Sequence, residues 1–259
     1  MMRWWMLLPI VWAAVIAMAV TLISVTVPAE NELANFATSL IGRTPAQRHN
    51  AKLAVTAING FVVPPHGVFS FNDAVGPWTR DRGYKRAPVS YSGEVVITWG
   101  GGVCQVSSTL YNVALLAGME IIERHSHVWA PLYVSPGRDA AVAYGMADLK
   151  FRNPYNEPVR IECAIDGDVL SCRLVSRARR RYTYRIVTNV QYLKQPPDIV
   201  RFTRSLRKGK RVRIVSGRPG YRVSVYRLIM DNERVIHREL ISEDEYKAMS
   251  AMVKVGIGD

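Results

Sequence analysis

Cys104 and its neighbours carry the strongest chemical signal in this 259-residue sequence. Glycines occupy positions 100–102, and the hydroxylated run Ser107-Ser108-Thr109 follows the cysteine. Glycine lets a backbone turn sharply and approach a ligand closely. Residues 106–117 are largely apolar and predict a helix, so Cys104 is expected where free backbone N–H groups and the helix dipole stabilise an anion. We expect a lowered thiol pKa and a nucleophilic thiolate; the alternative is a buried structural cysteine.

Histidines near Cys104 favour acid–base chemistry. His125 and His127, two of the five histidines, follow the cysteine in sequence. Gly118 is expected to end the helix, and residues 119–127 then predict a strand that returns to the helix start with both histidines on one face. Histidine can deprotonate a thiol and protonate a leaving group. A metal pair is a weak alternative because no acidic cluster accompanies the histidines, so we expect no metal and no cofactor.

The flanking segments supply candidates for the remaining roles. Asp139 is the candidate for the third group that fixes the histidine tautomer; the alternative is a turn aspartate bonded to its own backbone. Arg124 and Arg138 are candidates for binding a substrate carboxylate, or they are ordinary surface arginines. Groups beside the thiol are expected to hold an oxyanion or the substrate, and these positions are Gly101, Gly102, Gln105 and Ser107.

Cys163 and Cys172 flank a hairpin signal. A type II′ turn at Gly167-Asp168 puts these two cysteines directly opposite each other, which suits a cross-strand disulfide in an exported protein. A turn at Asp166-Gly167 leaves the cysteines diagonal and makes the bridge less favourable. In either register Cys104 has no partner, because the chain contains three cysteines.

The amino-terminal segment predicts export. Residues 4–27 contain no charged side chain and are long enough to cross a bilayer. Arg3 before this segment, with Glu30 and Glu32 after it, predicts a single-pass protein of the cell membrane whose bulk is extracytoplasmic. A cleaved signal peptide, which would give a secreted protein, is the alternative. Both interpretations argue against nucleic acid as a partner.

The net charge of +13 is concentrated in one stretch. Residues 173–213 contain fourteen lysines and arginines and one acidic residue, Asp198. Outside the membrane, such a stretch is expected to bind anionic wall polymers or lipid head groups. A solubilising connector without a ligand is the alternative.

Local patterns predict an α+β protein. Apolar spacing predicts helix over residues 30–61, broken near 42–45, whereas residues 62–97 predict strands and turns. Residues 212–258 alternate apolar and polar side chains. We therefore predict four parts: a membrane anchor or signal (1–29), a mixed, β-rich catalytic-type domain with a helix after the Gly-Gly-Gly-Val-Cys loop (30–176), a basic connector (177–211) and a small all-β module (212–259).

The cysteine lies in a longer pattern whose core is Gly100-Gly101-Gly102-Val103-Cys104-Gln105-Val106-Ser107-Ser108-Thr109-Leu110-Tyr111-Asn112. Its flanks include Arg48-His49-Asn50, Phe69-Ser70-Phe71-Asn72, Glu123-Arg124, Tyr133-Val134, Gly137-Arg138-Asp139-Ala140 and Asp148-Leu149-Lys150-Phe151-Arg152-Asn153. This pattern resembles the VanW domain, a family named for an accessory protein of vancomycin-resistance clusters. The stretch from Gly217-Arg218-Pro219-Gly220 to Val255-Gly256 resembles the glycine-rich β module that often follows VanW domains on wall-associated proteins.

The resemblance implies a cell-wall function. Some family members are understood as L,D-transpeptidases, in which a cysteine takes an acyl group from a peptidoglycan stem peptide and passes it to an amine. The family pattern implies Cys104 as nucleophile and His127 rather than His125 as its partner; Val128 departs from the serine often found there. The alternatives are a non-catalytic accessory protein that binds peptidoglycan or wall polymers, and a hydrolase that uses the same groups with water.

Overall fold

The computed structural model describes residues 29–91 and 94–258, and within them the chain is mostly β, with 48% strand and 15% helix. The predicted α+β class is therefore wrong. No helix in the described ranges is long and apolar enough to span a membrane. The predicted membrane segment, residues 4–27, lies outside those ranges. The fold class differs from the prediction because strands occur in two places: where a helix is predicted in residues 30–39, and where a connector is predicted in residues 177–211.

The first of these places is the start of the amino-terminal domain. Residues 30–39 are predicted as helix, but β1 (Asn31–Ser39) is a strand that pairs antiparallel with β9 (Val169–Ser176). It completes a sheet of order β1-β9-β8-β2, with β8 (Val159–Asp166) and β2 (Val62–Val63). Leu33 is buried in the core from this strand. Pairing of eight residues of this edge strand with β9 outweighs the local helical spacing.

Two helices pack against this sheet. The first, α1 (Pro45–Ile58), begins at Thr44, whose side chain accepts from the backbone of Gln47 in a capping box. The second, α3 (Val103–Leu116), follows the glycine loop and is buried along nearly its whole length. Gly118 ends it with φ 74°, as the sequence predicts for a C′ glycine.

The rest of this domain consists of short elements around the two helices. Within residues 62–91 and 94–97 the chain forms strands and turns as predicted, together with one short helix. The further elements are β3 (Val68–Ser70), α2 (Phe71–Val75), β4 (Arg86–Tyr91), β5 (Glu94–Trp99), β6 (Glu120–Glu123) and β7 (Lys150–Arg152). Strands β3, β7 and β6 form one sheet and β4 and β5 a second.

The β8–β9 hairpin contains the disulfide. Cys163 and Cys172 are directly opposite each other in the register and are bonded. The turn is the two-residue Gly167-Asp168 connection, in which Gly167 has φ 54°. Of the two registers open from the sequence, the structure therefore has the one that aligns the cysteines.

The second place of disagreement is the basic stretch. Here β10 (Thr183–Leu193) pairs with β13 (Gly220–Asp231), which pairs with β14 (Arg234–Tyr246). A second sheet joins β11 (Ile199–Arg207), β15 (Met252–Gly258) and β12 (Arg211–Val215), with β11 parallel to β15. Residues 177–211 thus supply two strands of the carboxy-terminal domain instead of a connector, because their alternating apolar residues pair with the later strands.

The carboxy-terminal domain packs directly on the amino-terminal one. A Cβ added at Gly118 would lie 2.3 Å from the ring of Tyr184 in β10. One added at Gly137 would lie 2.5 Å from Val225 in β13. Both glycines have positive φ and leave the room that these side chains fill. The carboxy-terminal domain therefore packs against the end of α3 at Gly118 and against the loop at Gly137.

Candidate active site

Cys104 lies in the first turn of α3, because the helix begins at Val103, three residues before the predicted start. Gly102 precedes the helix with φ 108°, and a Cβ there would lie 2.2 Å from the backbone oxygen of Gln47 in α1. Only glycine allows both this backbone angle and this approach. The sulfur is half-buried, and in its thiol form it donates to the backbone oxygen of Val142 at 3.4 Å. The sulfur is thereby fixed beside the helix amino terminus.

His127 and Asp139 form a pair next to the thiol. Nδ1 of His127 lies 2.6 Å from Oδ2 of Asp139, and the backbone N–H of His127 donates to the same oxygen at 2.8 Å. Asp139 is fully buried. Because the carboxylate takes Nδ1, Nε2 is the ring nitrogen left to act on Cys104. The structure thus brings together Cys104, His127 and Asp139 as the sequence predicts.

The pKa values of these three groups are coupled. Burial raises the pKa of the Cys104 thiol, but the hydrogen bond and charge of His127 outweigh it and hold that pKa below its ordinary value. Burial lowers the pKa of His127, but hydrogen bonds with Asp139 and Cys104 raise it to about 10. The pKa of Asp139 is lowered: burial opposes its ionisation, and His127 and Arg124 overcome that effect. The arrangement favours a thiolate–imidazolium pair at neutral pH.

The second oxygen of Asp139 is held by two further residues. Arg124 donates from Nη2 to Oδ1 at 3.0 Å, and the Tyr246 hydroxyl donates to the same oxygen. Arg124 also pairs with Asp244 at 2.5 Å, and its side chain is 5% exposed. It is therefore unavailable to a substrate carboxylate and is not a surface arginine, contrary to both predicted alternatives. Its role in the structure is to neutralise two buried acids.

The loop that contains Asp139 is fixed to one face of α3. Ser107 donates to the backbone oxygen of Ala140 at 2.7 Å, and the N–H of Ala140 donates to Ser108 at 2.9 Å. One turn further along, Asn112 donates to the backbone oxygen of Arg138 at 2.7 Å. Ser107 is thus a support for the loop. The sequence analysis missed Ser108 and Asn112, although their spacing of four and eight residues from Cys104 puts all three on one helix face.

Three of the predicted binding residues lie elsewhere or are already engaged. Arg138 bonds Asn112, two turns from Cys104, and lies over the ring of Phe36. Gln105 donates from its side chain to the backbone oxygen of Ser39 at 2.8 Å, and its own N–H donates to Gly102. The backbone oxygen of Gly101 accepts from Asn50 at 2.9 Å.

The backbone N–H groups of Gly102 and Cys104 remain as candidates for an oxyanion site. Neither donates a hydrogen bond to any group in the described part of the chain. Both lie at the amino-terminal end of α3, where the helix dipole favours negative charge.

His125 and His127 do not share a face. Strand β6 ends at Glu123, so the period-two alternation expected over residues 119–127 stops before the histidines. His125 is exposed and its Nε2 lies 3.0 Å from a carboxylate oxygen of Glu123. Across residues 29–91 and 94–258, no three His, Cys, Asp or Glu side chains are grouped to hold a metal ion.

Arg43 and Tyr133 are site residues that the sequence analysis missed. The Tyr133 hydroxyl donates to the backbone oxygen of Cys104 at 3.3 Å, and Arg43 lies over the Tyr133 ring at 5.0 Å. Nε of Arg43 donates to Gln105 at 2.8 Å. Burial lowers the pKa of Arg43, and no described carboxylate lies within ion-pair distance of it. Arg43 is therefore a half-buried cation without an acidic partner in the described residues, and it is connected to Cys104 through Tyr133.

Comparison with known proteins identifies the domains. Residues 46–175 match the family model described as VanW like protein. The chain belongs to the VanW-like family. Residues 185–257 match the G5 domain, so the carboxy-terminal module predicted from its glycine pattern is confirmed as G5. A VanW-like domain followed by a G5 domain indicates a cell-wall-associated protein.

Two curated relatives share the VanW-like domain. The uncharacterized protein YoaR of Bacillus subtilis is 42% identical over 145 residues, covering 56% of this chain and 48% of that protein. The vancomycin B-type resistance protein VanW of Enterococcus faecalis is 28% identical over 162 residues, covering 60% of this chain and 58% of that protein. The chain thus spans about half the length of the curated relatives it matches.

Two solved structures resemble the G5 domain. The HP0197-G5 crystal structure has a TM-score of 0.18 with 23% identity and covers 30% of this chain and all of that one. The IgA1 protease G5 domain structure has a TM-score of 0.22 with 19% identity and covers 32% of this chain and 98% of that one.

The coupled pKa values of the VanW-like domain predict the pH dependence of thiol alkylation. Iodoacetamide should modify wild-type Cys104 with a midpoint below about 8.5, the ordinary thiol pKa. His127→Ala should move the midpoint upward and slow the reaction at neutral pH about tenfold or more, since burial remains while the hydrogen bond and positive charge are lost. His125→Ala, altered at an exposed position, is the control and should leave the midpoint unchanged. Equal midpoints in wild type and His127→Ala would contradict the coupling.

Proposed function

We propose that this protein is an extracytoplasmic cysteine acyltransferase of peptidoglycan, of the L,D-transpeptidase type. The observation that carries the proposal is the position of Cys104 at the amino terminus of α3, next to a His127 whose Nδ1 is held by Asp139 at 2.6 Å. Buried positions, complementary pKa shifts and a histidine tautomer fixed by a carboxylate are the requirements of an activated thiol. The family's association with the cell wall supports stem peptides as the substrate class.

Acylation begins from the thiolate–imidazolium pair. The Cys104 sulfur attacks the carbonyl carbon of the donor peptide bond, and the carbonyl oxygen becomes an oxyanion. The free N–H groups of Gly102 and Cys104 stabilise that charge. Imidazolium His127 gives its Nε2 proton to the nitrogen of the departing amine, the C–N bond breaks, and a thioester remains.

Deacylation reverses these roles with a new amine. His127 is now neutral and removes a proton from the acceptor amine as its nitrogen attacks the thioester carbon. The same N–H groups hold the second oxyanion, which collapses to an amide and expels the Cys104 thiolate. Asp139 remains ionised throughout, because it accepts from four donors and stabilises the imidazolium.

Arg43 supplies the substrate-carboxylate contact that Arg124 cannot. Its Nε is fixed to Gln105, whereas no hydrogen bond from Nη1 or Nη2 to a described residue is present. A desolvated guanidinium without an acidic partner is costly unless an anion binds it. Arg43 lies over the ring of Tyr133, whose hydroxyl bonds the backbone oxygen of Cys104, and these contacts support its role in binding the carboxylate of the donor peptide.

The disulfide supports the extracytoplasmic location. The Cys163–Cys172 bridge is typical of an oxidising compartment. Cys104 remains free in the same structure. A free thiol retained in that compartment is consistent with chemistry rather than with bridging.

A second candidate, a non-catalytic protein that binds anionic wall polymers, is favoured by the G5 surface. Exposed arginines and lysines of β11 and the following turn and strand have no carboxylate within ion-pair distance in the described residues: Arg201, Arg204, Arg207, Lys208, Lys210 and Arg211. A surface with one sign of charge attracts polyanions with an affinity that falls as salt is added. This surface is compatible with either function, since a transferase also has to bind the wall.

Acyl-enzyme formation is the direct test of the transferase. Residues 29–259 are incubated with a tetrapeptide-stem muropeptide and measured by whole-protein mass spectrometry. Wild type should gain the mass of the acyl group and lose it when an acceptor amine is added, as cross-linked product appears. Cys104→Ala should gain nothing, and because Cys104 is the free cysteine the adduct is unambiguous.

Other outcomes of the same experiment separate the alternatives. Release of the acyl group as a free acid without cross-linked product would indicate a hydrolase. No adduct on a folded protein with a free thiol, together with salt-sensitive wall binding that Cys104→Ala retains, would contradict the transferase and favour the accessory protein.

Arg43 is predicted to act on substrate binding. Arg43→Ala should raise KM for the donor about tenfold or more with a smaller change in kcat, because an ion-paired hydrogen bond to the bound peptide is lost. Arg43→Lys keeps the charge and should retain part of the affinity. The matched control is Arg222→Ala, an exposed arginine of β13 paired with Glu245. An unchanged KM in Arg43→Ala would exclude the contact.

A further inference from the structure

Tyr246 belongs to the G5 domain, yet its hydroxyl lies against the loop of the VanW-like domain that contains Asp139. It is the last residue of β14 and is fully buried. The hydroxyl accepts from the N–H of Gly137 at 2.8 Å and donates to Oδ1 of Asp139. One hydroxyl therefore joins the start of the loop to the carboxylate that orients His127.

Both donors to Oδ1 depend on the G5 domain. Tyr246 is one; Arg124 is the other, and its Nη1 is held by Asp244 at 2.5 Å. Asp244 is itself fixed by the hydroxyl of Ser242 at 3.0 Å. Oδ2 accepts both hydrogen bonds from His127, so the contribution of the G5 domain to this carboxylate is made at Oδ1. Without the G5 domain, Oδ1 would keep one donor, Arg124, which would lose Asp244 and retain its Nε bond to the backbone oxygen of Asp139 at 2.6 Å.

The end of β14 is also fixed to the loop that follows His127. The backbone N–H of Lys247, next to Tyr246, donates to the backbone oxygen of Val128 at 2.9 Å. The side chains of Val223 and Val225 fill the space beside Gly137. The contact is thus a packed interface with a backbone hydrogen bond, and it brings Tyr246 to one defined position.

We propose that Tyr246 is a positioning residue, and that the G5 domain has to be docked for Asp139 to orient His127. This inference rests on the proposed acyl transfer. The carboxylate torsion of an aspartate is soft, so the direction of the oxygen that holds Nδ1 is set by the backbone N–H of His127 together with the donors on the other oxygen. Removing the tyrosine hydroxyl leaves Gly137 N–H and one lone pair of Asp139 unsatisfied in a buried place.

The test is Tyr246→Phe, which keeps the ring and removes only the hydroxyl. We expect kcat for acyl transfer to fall about 10- to 100-fold with an unchanged KM, since a hydrogen bond to a charged group is lost away from the substrate. The pH midpoint of Cys104 alkylation should rise, and the downfield proton NMR signal of the His127 Nδ1–H should shift or broaden. A residue that only stabilises the fold would change neither the midpoint nor this signal in the folded variant.

The matched control is Tyr221→Phe, whose ring contacts that of Tyr246. Its hydroxyl makes no hydrogen bond within residues 29–91 and 94–258. This variant should behave as wild type. A folded Tyr246→Phe with wild-type kcat and alkylation midpoint would overturn the inference. If Tyr246→Phe does not fold, Asp244→Ala provides the second measurement: the midpoint of its Cys104 alkylation should rise because Nη1 of Arg124 loses its partner in the G5 domain, and an unchanged midpoint would overturn the inference equally.

Failure of this inference is distinguishable from failure of the proposed function. Alkylation and NMR report on Cys104 and His127 without any substrate. A wild-type protein that forms no acyl-enzyme contradicts the proposed function whatever the Tyr246 variant does. A wild type that forms acyl-enzyme, with a Tyr246→Phe variant identical to it, contradicts only the role of Tyr246.

Discussion

The buried carboxylate of Asp139 is the constraint on which the rest of the site depends. A charge without solvent exposure persists only where donors satisfy it, and Asp139 has four, from the backbone and ring of His127, from Arg124 and from Tyr246. Removing one partner from such a buried network costs about 3–5 kcal/mol. The hydrogen bonds that stabilise the buried charge of Asp139 also fix the tautomer of His127. The same contacts therefore stabilise the fold and orient the histidine ring.

Helix α3 is the scaffold for this arrangement. Its amino-terminal turn presents Cys104, and the residues one and two turns later on that face, Ser108 and Asn112, hold the loop of Asp139. The opposite face packs on α1 and the disulfide-containing sheet. The same helix therefore positions both the Cys104 thiol and the Asp139 carboxylate. A rigid element keeps catalytic groups in place better than two separate loops do.

Local chemistry made part of the site predictable from sequence. The glycine loop, the helix and its end at Gly118 follow from backbone rules that act over a few residues. The cysteine hairpin follows from turn geometry, although the sequence left two registers open. Cys104, His127 and Asp139 were recognisable as residue types, because few other side chains nearby perform those roles.

The rest of the structure depends on long-range contacts that no local pattern encodes. Residues 31–39 have apolar spacing that fits a helix, but pairing with β9, more than 130 residues later, makes them a strand. The sequence around Arg124 does not show that this arginine is buried, because its partner Asp244 lies 120 residues away in the chain. Tyr246 is 107 residues from Asp139. The basic residues 177–211 contain strands β10 and β11, and these strands pair with β13 and β15, which come later in the chain.

The protonation state of His127 shows directly whether Cys104 and His127 form a thiolate–imidazolium pair. Proton–carbon NMR of ring-labelled histidine, recorded across a pH titration of residues 29–259, reports it without substrate. The account predicts that His127 stays protonated far above the ordinary histidine pKa of about 6.5 and titrates near 10. Methylation of the Cys104 sulfur should bring that pKa down, because the thiolate charge is gone. A His127 that titrates near the ordinary value in the unmodified protein would contradict the thiolate–imidazolium pair and with it the account of the site.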